Sequence, residues 1–167
     1  EVLAVAPYFP EYKPFAESAG LTFRAVQPDV PGFQIRLSEL EKMLNAHTQA
    51  VLIDSPNNPS GTVYSRETLQ ALSEILTRKS AEFGHPIYLI SDEPYRELVY
   101  DGVEVPFVPC IYRDTIVCYS YSKSLSLPGE RIGYVYVPRA AADSAQLYAA
   151  VLGAARAAGH VCAPSLM

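Results

Sequence analysis

The segment VCYSYSKSLSLPGERIG, residues 117–133, joins an apolar run to a group of hydroxyl and cationic side chains. The run 115–118 predicts a buried strand, and Ser120 and Lys123 follow it closely. A lysine at the mouth of a buried strand is unfavourable unless a partner uses its amine. Arg131, eight residues further on, adds a second cation. These groups together favour a ligand that carries a phosphate, although a solvated surface lysine after a strand has the same pattern.

The composition predicts a single globular domain over residues 1–167. Hydrophobic residues make up 49% of the chain, which is enough for a proper core. The net charge of -5 and the lack of a Lys/Arg run argue against nucleic acid and anionic membrane as main partners. The alanine-rich segment 140–161 is interrupted by Asp143, Gln146 and Arg156, which predicts a packed helix and not a membrane span.

The cysteines and histidines have no metal-ligand spacing, so we expect no metal site. Cys110, Cys118 and Cys162 are a sparse and odd-numbered set, which favours a reducing compartment and hence the cytoplasm. The histidines are scattered along the chain and are interpreted as structural or surface residues.

Strand and helix patterns alternate along the chain. Short apolar runs predict six strands, at 2–6, 21–26, 50–53, 87–90, 115–120 and 132–137. Helices are predicted at 11–19, after the capping box Ser38-x-x-Glu41, after the cap residue Ser65, and at 140–158. This alternation predicts an α/β protein, a three-layer α/β/α sandwich with a mostly parallel, buried sheet. The short connection before the sixth strand allows that strand to be antiparallel.

Residues suited to chemistry collect where the predicted strands end. They are Tyr8 after the first strand, Asn58 after the third, Asp92 and Tyr95 after the fourth, and Ser120 and Lys123 after the fifth. Because ligands of open α/β sheets bind outside the carboxyl ends of the strands, we expect these residues to share one site. Each also has a plain interpretation: Asn58 as a turn residue, Asp92 as a cap or surface acid, and Tyr8 as an aromatic residue at the sheet edge.

Three motifs, in this order, resemble those of the fold-type-I enzymes of the class I/II aminotransferase family, which use pyridoxal 5'-phosphate (PLP). SPNNPSG at 55–61 resembles their Asn-Pro-(Thr/Ser)-Gly motif, and SDEPY at 91–95 resembles their Asp-x-x-Tyr motif. Ser120-x-x-Lys123, with Arg131 eight residues later, resembles their Schiff-base lysine segment. The resemblance covers nearly the whole chain. It implies the fold of a PLP-transferase large domain and transfer of an amino group between an amino acid and a 2-oxo acid.

The resemblance also implies a role for each matching residue. Lys123 would form the Schiff base with the cofactor and later act as the base that moves a proton. Asp92 would pair with the pyridinium nitrogen and keep it protonated. Asn58 and Tyr95 would hydrogen-bond the phenolic oxygen, Tyr8 would stack on the ring, and Ser120 and Arg131 would bind the phosphate.

The other polar residues near the motifs are interpreted as structural. Glu93 and Arg96 match no functional position of the family, so we expect a turn residue and a surface residue. Tyr64, Tyr119 and Tyr121 are expected to be packing residues.

Several parts of the family site have no match in this sequence. They are the glycine- and serine-containing turn that also holds the phosphate, the arginine that grips the substrate carboxylate, and a tyrosine from the neighbouring subunit. We therefore expect residues 1–167 to be the central part of the large domain of a homodimer, without its N-terminal segment and C-terminal small domain. We expect this piece to be inactive alone.

Two other functions remain open. The same scaffold and cofactor support β-lyases, decarboxylases and cyclopropane-forming synthases, and the groups that select the reaction lie mostly outside these residues. Aminotransferase-like domains also serve as ligand sensors in some transcription regulators.

Overall fold

The computed structural model describes residues 1–160, which contain one six-stranded sheet with helices around it. The strands are β1 (Val2–Val5), β2 (Phe23–Val26), β3 (Ala50–Asp54), β4 (Tyr88–Asp92), β5 (Thr115–Ser120) and β6 (Gly133–Tyr136). The helices are α1 (Tyr12–Ser18), α2 (Leu37–Met43), α3 (Arg66–Phe83), α4 (Tyr121–Ser124) and α5 (Ser144–Ala157). Cys162 lies outside the described residues.

The strand order is β2-β1-β3-β4-β5-β6. The strands β1 to β5 are parallel, and β6 pairs antiparallel with β5. This order confirms the predicted mostly parallel sheet. The sixth strand is the antiparallel one because the chain turns back through α4 and does not cross the sheet.

Helices lie on both faces of the sheet, which makes three layers. The core between the sheet and the helices α2 and α3 contains fully buried side chains, among them Leu3, Leu40, Val51, Leu72 and Leu76. On the opposite face, Tyr12 of α1 contacts Asp92, and the Tyr88 hydroxyl donates to the carbonyl of Ala142, just before α5. Tyr88 and Asp92 alternate along β4 with the core residue Leu89, so their side chains leave the sheet on the other face.

The second face is less buried than the sequence predicted. Along β4 and β5, buried residues such as Leu89 and Val117 alternate with half-buried ones, and β6 is exposed throughout. The strands β1 and β3 are the ones that approach the predicted full burial. The difference arises because the long helix α3 covers one face, whereas the seven-residue helix α1 covers only part of the other.

The predicted helix-end signals are partly confirmed. The Ser65 hydroxyl accepts a hydrogen bond from the Thr68 N–H at 3.1 Å, and Gly84 ends α3 with a φ of 76°. The predicted capping box at Ser38 is wrong, because α2 begins at Leu37 and places Ser38 inside its first turn.

Gly133 provides a test of the β5–β6 pairing that supports the Lys123 segment. A Cβ atom at Gly133 would clash with the carbonyl oxygen of Tyr119, so one of the two strands must shift to accept it. We expect Gly133→Ala to lower the free energy of unfolding by about 1–3 kcal/mol, the usual range for overpacking. Gly129→Ala is the matched control, because a Cβ there meets no atom within 4 Å. Chemical denaturation checks both, and equal stabilities of the two variants would contradict the expectation.

Candidate active site

Three parallel strands end together at the edge where the predicted site residues lie. Asp54 at the end of β3 pairs in register with Asp92 of β4, which pairs in turn with Cys118 of β5. Beyond them, the Ser55 N–H donates to the Asp92 carbonyl and the Glu93 N–H to the Cys118 carbonyl. The loops after β3, β4 and β5 therefore start side by side.

Asp92 is the best-defined group at this edge. Its Oδ2 accepts a hydrogen bond of 2.5 Å from the hydroxyl of Tyr12. Burial raises the pKa of the Asp92 carboxyl, and the hydrogen bond from Tyr12 opposes that rise. Burial of the Tyr12 phenol and the neighbouring Asp92 carboxylate raise the pKa of that phenol, so the proton stays on Tyr12. A carboxylate held by one short bond keeps its other oxygen for a ligand.

The loop that carries Asn58 is held from both ends. The Asn58 N–H donates to Oδ2 of Asp54 at 2.8 Å. The neighbouring Asn57 is buried, and its Nδ2 donates to the Pro7 carbonyl at 2.9 Å, which ties this loop to the one after β1. The strand order reverses between β1 and β3, which is where open α/β sheets bind ligands. The side chain of Asn58 remains half-exposed and lines a cavity with Tyr95.

Lys123 and Tyr95 are brought together by the turns after β5 and β4. The Lys123 Nζ lies 5.6 Å from the centroid of the Tyr95 ring, over its face. Lys123 is exposed in this structure, so its amine is reachable. The sequence-based argument that this lysine is buried at the mouth of a strand is therefore wrong. The evidence for a site at Lys123 is instead its contact with Tyr95.

Ser120 and Arg131 lie on the walls of a second cavity, which Asp92 also lines. The Ser120 Oγ accepts from the Ser122 N–H at 3.1 Å and bonds the Ser122 hydroxyl at 2.8 Å, which starts the α4 turn. Arg131 has a φ of 53°, in the left-handed region, and its Nη1 donates to the Pro128 carbonyl. A guanidinium has five N–H donors, so this bond leaves others to face an anion.

The predicted residues thus fall into two groups. Asn58 and Tyr95 line one cavity, and Asp92, Ser120 and Arg131 line the other. Lys123 is linked to the first group through Tyr95. The two groups are joined by the strand register that sets Asp54 beside Asp92.

Tyr8 lies apart from these contacts. Its ring packs edge-to-face on Phe23 of β2, with 5.1 Å between the centroids. It is the next residue, Phe9, that packs on Tyr12, the partner of Asp92. A stacking role for Tyr8 stays a prediction.

The expectation for Glu93 and Arg96 was wrong. Glu93 is 2% exposed and accepts from the Ser91 hydroxyl at 2.9 Å and from Nη1 of Arg96 at 2.8 Å. Arg96 also donates to the carbonyls of Val105 and Pro106. Burial raises the pKa of Glu93, and the Arg96 guanidinium opposes the rise. This ion pair braces the turn that carries Asp92 and Tyr95, which local sequence does not reveal.

The three predicted packing tyrosines do pack. Tyr64 is 1% exposed, and Tyr119 lies edge-on to Tyr121 and stacks on Tyr134 with centroids 4.9 Å apart. The Tyr119 hydroxyl also contacts Glu97 and Ser124. This ring cluster supports the strand pair that flanks Lys123.

Sequence reasoning missed Tyr12 and Asp54. Asp54 directly follows the apolar run of β3, which is the same signal that selected Asp92, so its position was available from the sequence. Tyr12 has no local signal, because its contact with Asp92 spans 80 residues. Cys118 also lies at this edge, where burial raises the pKa of its thiol to about 12 and keeps it protonated.

Within residues 1–160, no helix has both the length and the apolar character that crossing a membrane requires. The same residues contain no group of three His, Cys, Asp or Glu side chains arranged to hold a metal ion.

Comparison with known proteins gives consistent matches. The family model described as aminotransferase class I and II matches residues 1–167. The probable aspartate/prephenate aminotransferase of Thermus aquaticus is 33% identical over 145 residues, which cover 84% of this chain and 35% of that protein. The probable N-acetyl-LL-diaminopimelate aminotransferase of Bacillus subtilis is 31% identical over 139 residues, covering 83% and 34%. The chain thus spans about a third of the length of these curated relatives.

Among solved structures, an aminotransferase from Eubacterium rectale superposes with a TM-score of 0.95 and 61% sequence identity. The match covers 98% of this chain and 41% of that one. The fold described above is therefore shared with about two fifths of that aminotransferase structure.

Tyr12→Phe tests whether the phenol sets the charge of Asp92. Loss of a donor to the charged form should raise the pKa of Asp92 further, because burial then acts unopposed by that bond. Carbon-13 NMR of labelled aspartate carboxyls measures this pKa. Tyr112→Phe is the control, since its buried hydroxyl donates to the Ile87 carbonyl, just before the opposite end of β4. An unchanged Asp92 pKa in Tyr12→Phe would contradict the assignment.

Proposed function

The chain belongs to the class I and II aminotransferase family, and from this premise we propose that its protein transfers an amino group between an amino acid and a 2-oxo acid with PLP as cofactor. The observation that carries the proposal is Asp92, a half-buried carboxylate whose Tyr12 hydrogen bond orients it at the edge shared with Asn58 and Lys123. A fixed negative charge at that point suits the nitrogen of a protonated heterocycle.

The donor set fits PLP. Ser120 and Arg131 supply a hydroxyl and a guanidinium for a phosphate, and they line the same cavity as Asp92. Lys123 supplies an exposed primary amine for an aldehyde. When bound, PLP supplies that aldehyde and an aromatic ring that withdraws electrons from the bonds at the substrate Cα.

We assign charge control to Asp92. Its carboxylate would hold a proton on the ring nitrogen, and Tyr12 fixes the direction of that carboxylate by donating to Oδ2. The partly buried setting strengthens the pairing, because water screens it less than at the surface.

We assign nucleophilic attack and proton transfer to the Nζ of Lys123. Its amine would hold the cofactor through the aldehyde, and when not so bound it would carry a proton to and from the substrate. The α4 turn, capped by Ser120, sets the direction from which Nζ approaches, and the Tyr95 ring lies on one side of it.

The remaining predicted residues complete the site. Asn58 and Tyr95 would donate to the phenolic oxygen, and their shared cavity supports placing them together. Tyr8 would stack on the cofactor ring. In this structure Tyr8 packs on Phe23, and it is Phe9 that packs on Tyr12, the partner of Asp92.

We further propose that residues 1–167 belong to the large domain of a homodimeric protein located in the cytoplasm. The chain spans about a third of its curated relatives, so groups that bind the substrate carboxylate are expected elsewhere. We expect residues 1–167 alone to give no steady turnover with PLP and an amino donor.

Half-transamination separates this function from the alternatives on the same scaffold. In an aminotransferase, one equivalent of amino acid converts bound PLP to its pyridoxamine form and releases the oxo acid. A β-lyase or a decarboxylase releases other products, and a sensor domain releases none. The names of the relatives favour the first outcome.

Lys123→Ala in the full-length protein should abolish covalent attachment of PLP. Borohydride reduction followed by peptide mass spectrometry locates the attachment, which we expect on Lys123 in the unmodified protein. Lys79→Ala is the control, because Lys79 lies on α3 and pairs with Glu82. Attachment that survives in Lys123→Ala would overturn the assignment.

Asp92→Asn should retain some PLP but lose turnover by orders of magnitude, because a neutral amide does not hold the ring proton. The comparison of bound PLP with the turnover rate separates loss of chemistry from loss of binding. Full activity of this variant would refute the proposed role of Asp92.

A further inference from the structure

Asp54 is a buried acid at the site with no role in the chemistry described above. It is the last residue of β3 and is 3% exposed. Its Oδ2 accepts the Asn58 N–H. Within residues 1–160, its Oδ1 is the one buried side-chain oxygen or nitrogen without a hydrogen-bond partner.

The surroundings of Asp54 disfavour a negative charge. Asp92 is its register partner on β4 and brings a second carboxylate. The other titratable groups at this edge are the phenols of Tyr12 on α1 and Tyr64 before α3, and the thiol of Cys118 on β5, all of them neutral. Burial, with a smaller contribution from Asp92, raises the pKa of Asp54 to about 7.

The two acids are not equivalent. Asp92 receives the Tyr12 hydroxyl, a bond that favours its ionised form, whereas Asp54 receives a single backbone N–H. When two neighbouring buried carboxyls compete for one charge, the better-solvated group ionises first. One proton on Asp54 and one charge on Asp92 is therefore the favoured arrangement.

We propose that Asp54 is a positioning residue whose carboxyl carries a proton in the cofactor-free protein, so that the negative charge of the pair resides on Asp92 while Oδ2 of Asp54 holds the Asn58 loop. This inference deepens the proposed function and rests on it for the role of Asp92. A cation bound opposite Asp92 offsets that charge, which weakens the hold of Asp54 on its proton. The proton then leaves Asp54 for solvent as the cofactor binds.

The first experiment needs no cofactor. In the folded full-length apoprotein the pKa of Asp54 is about 7, above the ordinary aspartate value of about 4. The contribution of Asp54 to the free energy of unfolding therefore falls as the pH rises from about 4 to about 7. Asp54→Asn has no carboxyl to ionise and so lacks this loss of stability. We expect the melting temperature of Asp54→Asn minus that of the unmodified protein to increase from pH 5 to pH 8.

Asp114→Asn is the matched control for this experiment. Asp114 is 6% exposed and accepts the Ala142 N–H, but it precedes β5, at the opposite edge of the sheet. Its melting temperature relative to the unmodified protein should not follow the trend of Asp54→Asn. A pH-independent difference for Asp54→Asn would overturn the proposal.

The second experiment adds PLP at pH 6.5 and counts released protons by calorimetry in buffers of different ionisation enthalpy. The unmodified protein should release more protons than Asp54→Asn, and equal release would overturn the coupling to Asp92.

Asp54→Ala removes the acceptor of the Asn58 N–H and should weaken PLP binding about five- to tenfold, the usual worth of one hydrogen bond. Asp54→Asn keeps an acceptor but has no proton to release, so it should bind PLP more weakly than the unmodified protein by a factor that grows as the pH rises.

The two hypotheses fail separately. If the stability trend holds and no variant binds PLP, the proposed function is wrong and the protonated Asp54 stands. If Asp54→Asn does not fold, infrared titration of the unmodified protein decides. A neutral carboxylic-acid band that disappears near pH 7 in the unmodified protein, and at a lower pH in Asp92→Asn, supports the proposal, and its absence from the unmodified protein overturns it.

Discussion

The register of three parallel strands is the constraint on which the site depends. Asp54, Asp92 and Cys118 occupy matching positions on β3, β4 and β5, so three loops leave the sheet side by side. Backbone hydrogen bonds from Ser55 and Glu93 extend this pairing beyond the strands. A shift of one residue would turn each side chain to the other face and separate Asp92 from Tyr12.

Charge is distributed unevenly over this edge. The strand ends bring buried or half-buried acids together, whereas the cations Lys123 and Arg131 stand exposed on the segment after β5. Each acid is controlled by a different contact: Asp92 by a phenol, Glu93 by the Arg96 guanidinium, and Asp54 by one backbone N–H. An anionic ligand with a cationic ring would match this division, with Arg131 suited to its phosphate and Asp92 to its ring nitrogen.

The fold was predictable because its signals are local. Short apolar runs separated by turn residues and amphipathic helices identify an α/β chain, and the six strands lie within a few residues of their predicted positions. The Asn58, Asp92 and Lys123 positions were predictable for a related reason, since polar residues directly after a buried strand reach the carboxyl edge. The burial of Glu93 was not predicted because it depends on the tertiary structure, in which the side chains of Arg96 and Ser91 both donate to its carboxylate.

The sequence by itself determined the order of the strands along the chain, the three motifs and the side chains available for chemistry. Only the tertiary structure decided which of them meet: Tyr12 with Asp92 across 80 residues, Lys123 with Tyr95, and Asp54 beside Asp92. It also decided that Lys123 is exposed and that Tyr8 packs on Phe23. Burial, pairing and proton occupancy are properties of neighbours in space, and local periodicity contains no information on which distant residues become neighbours.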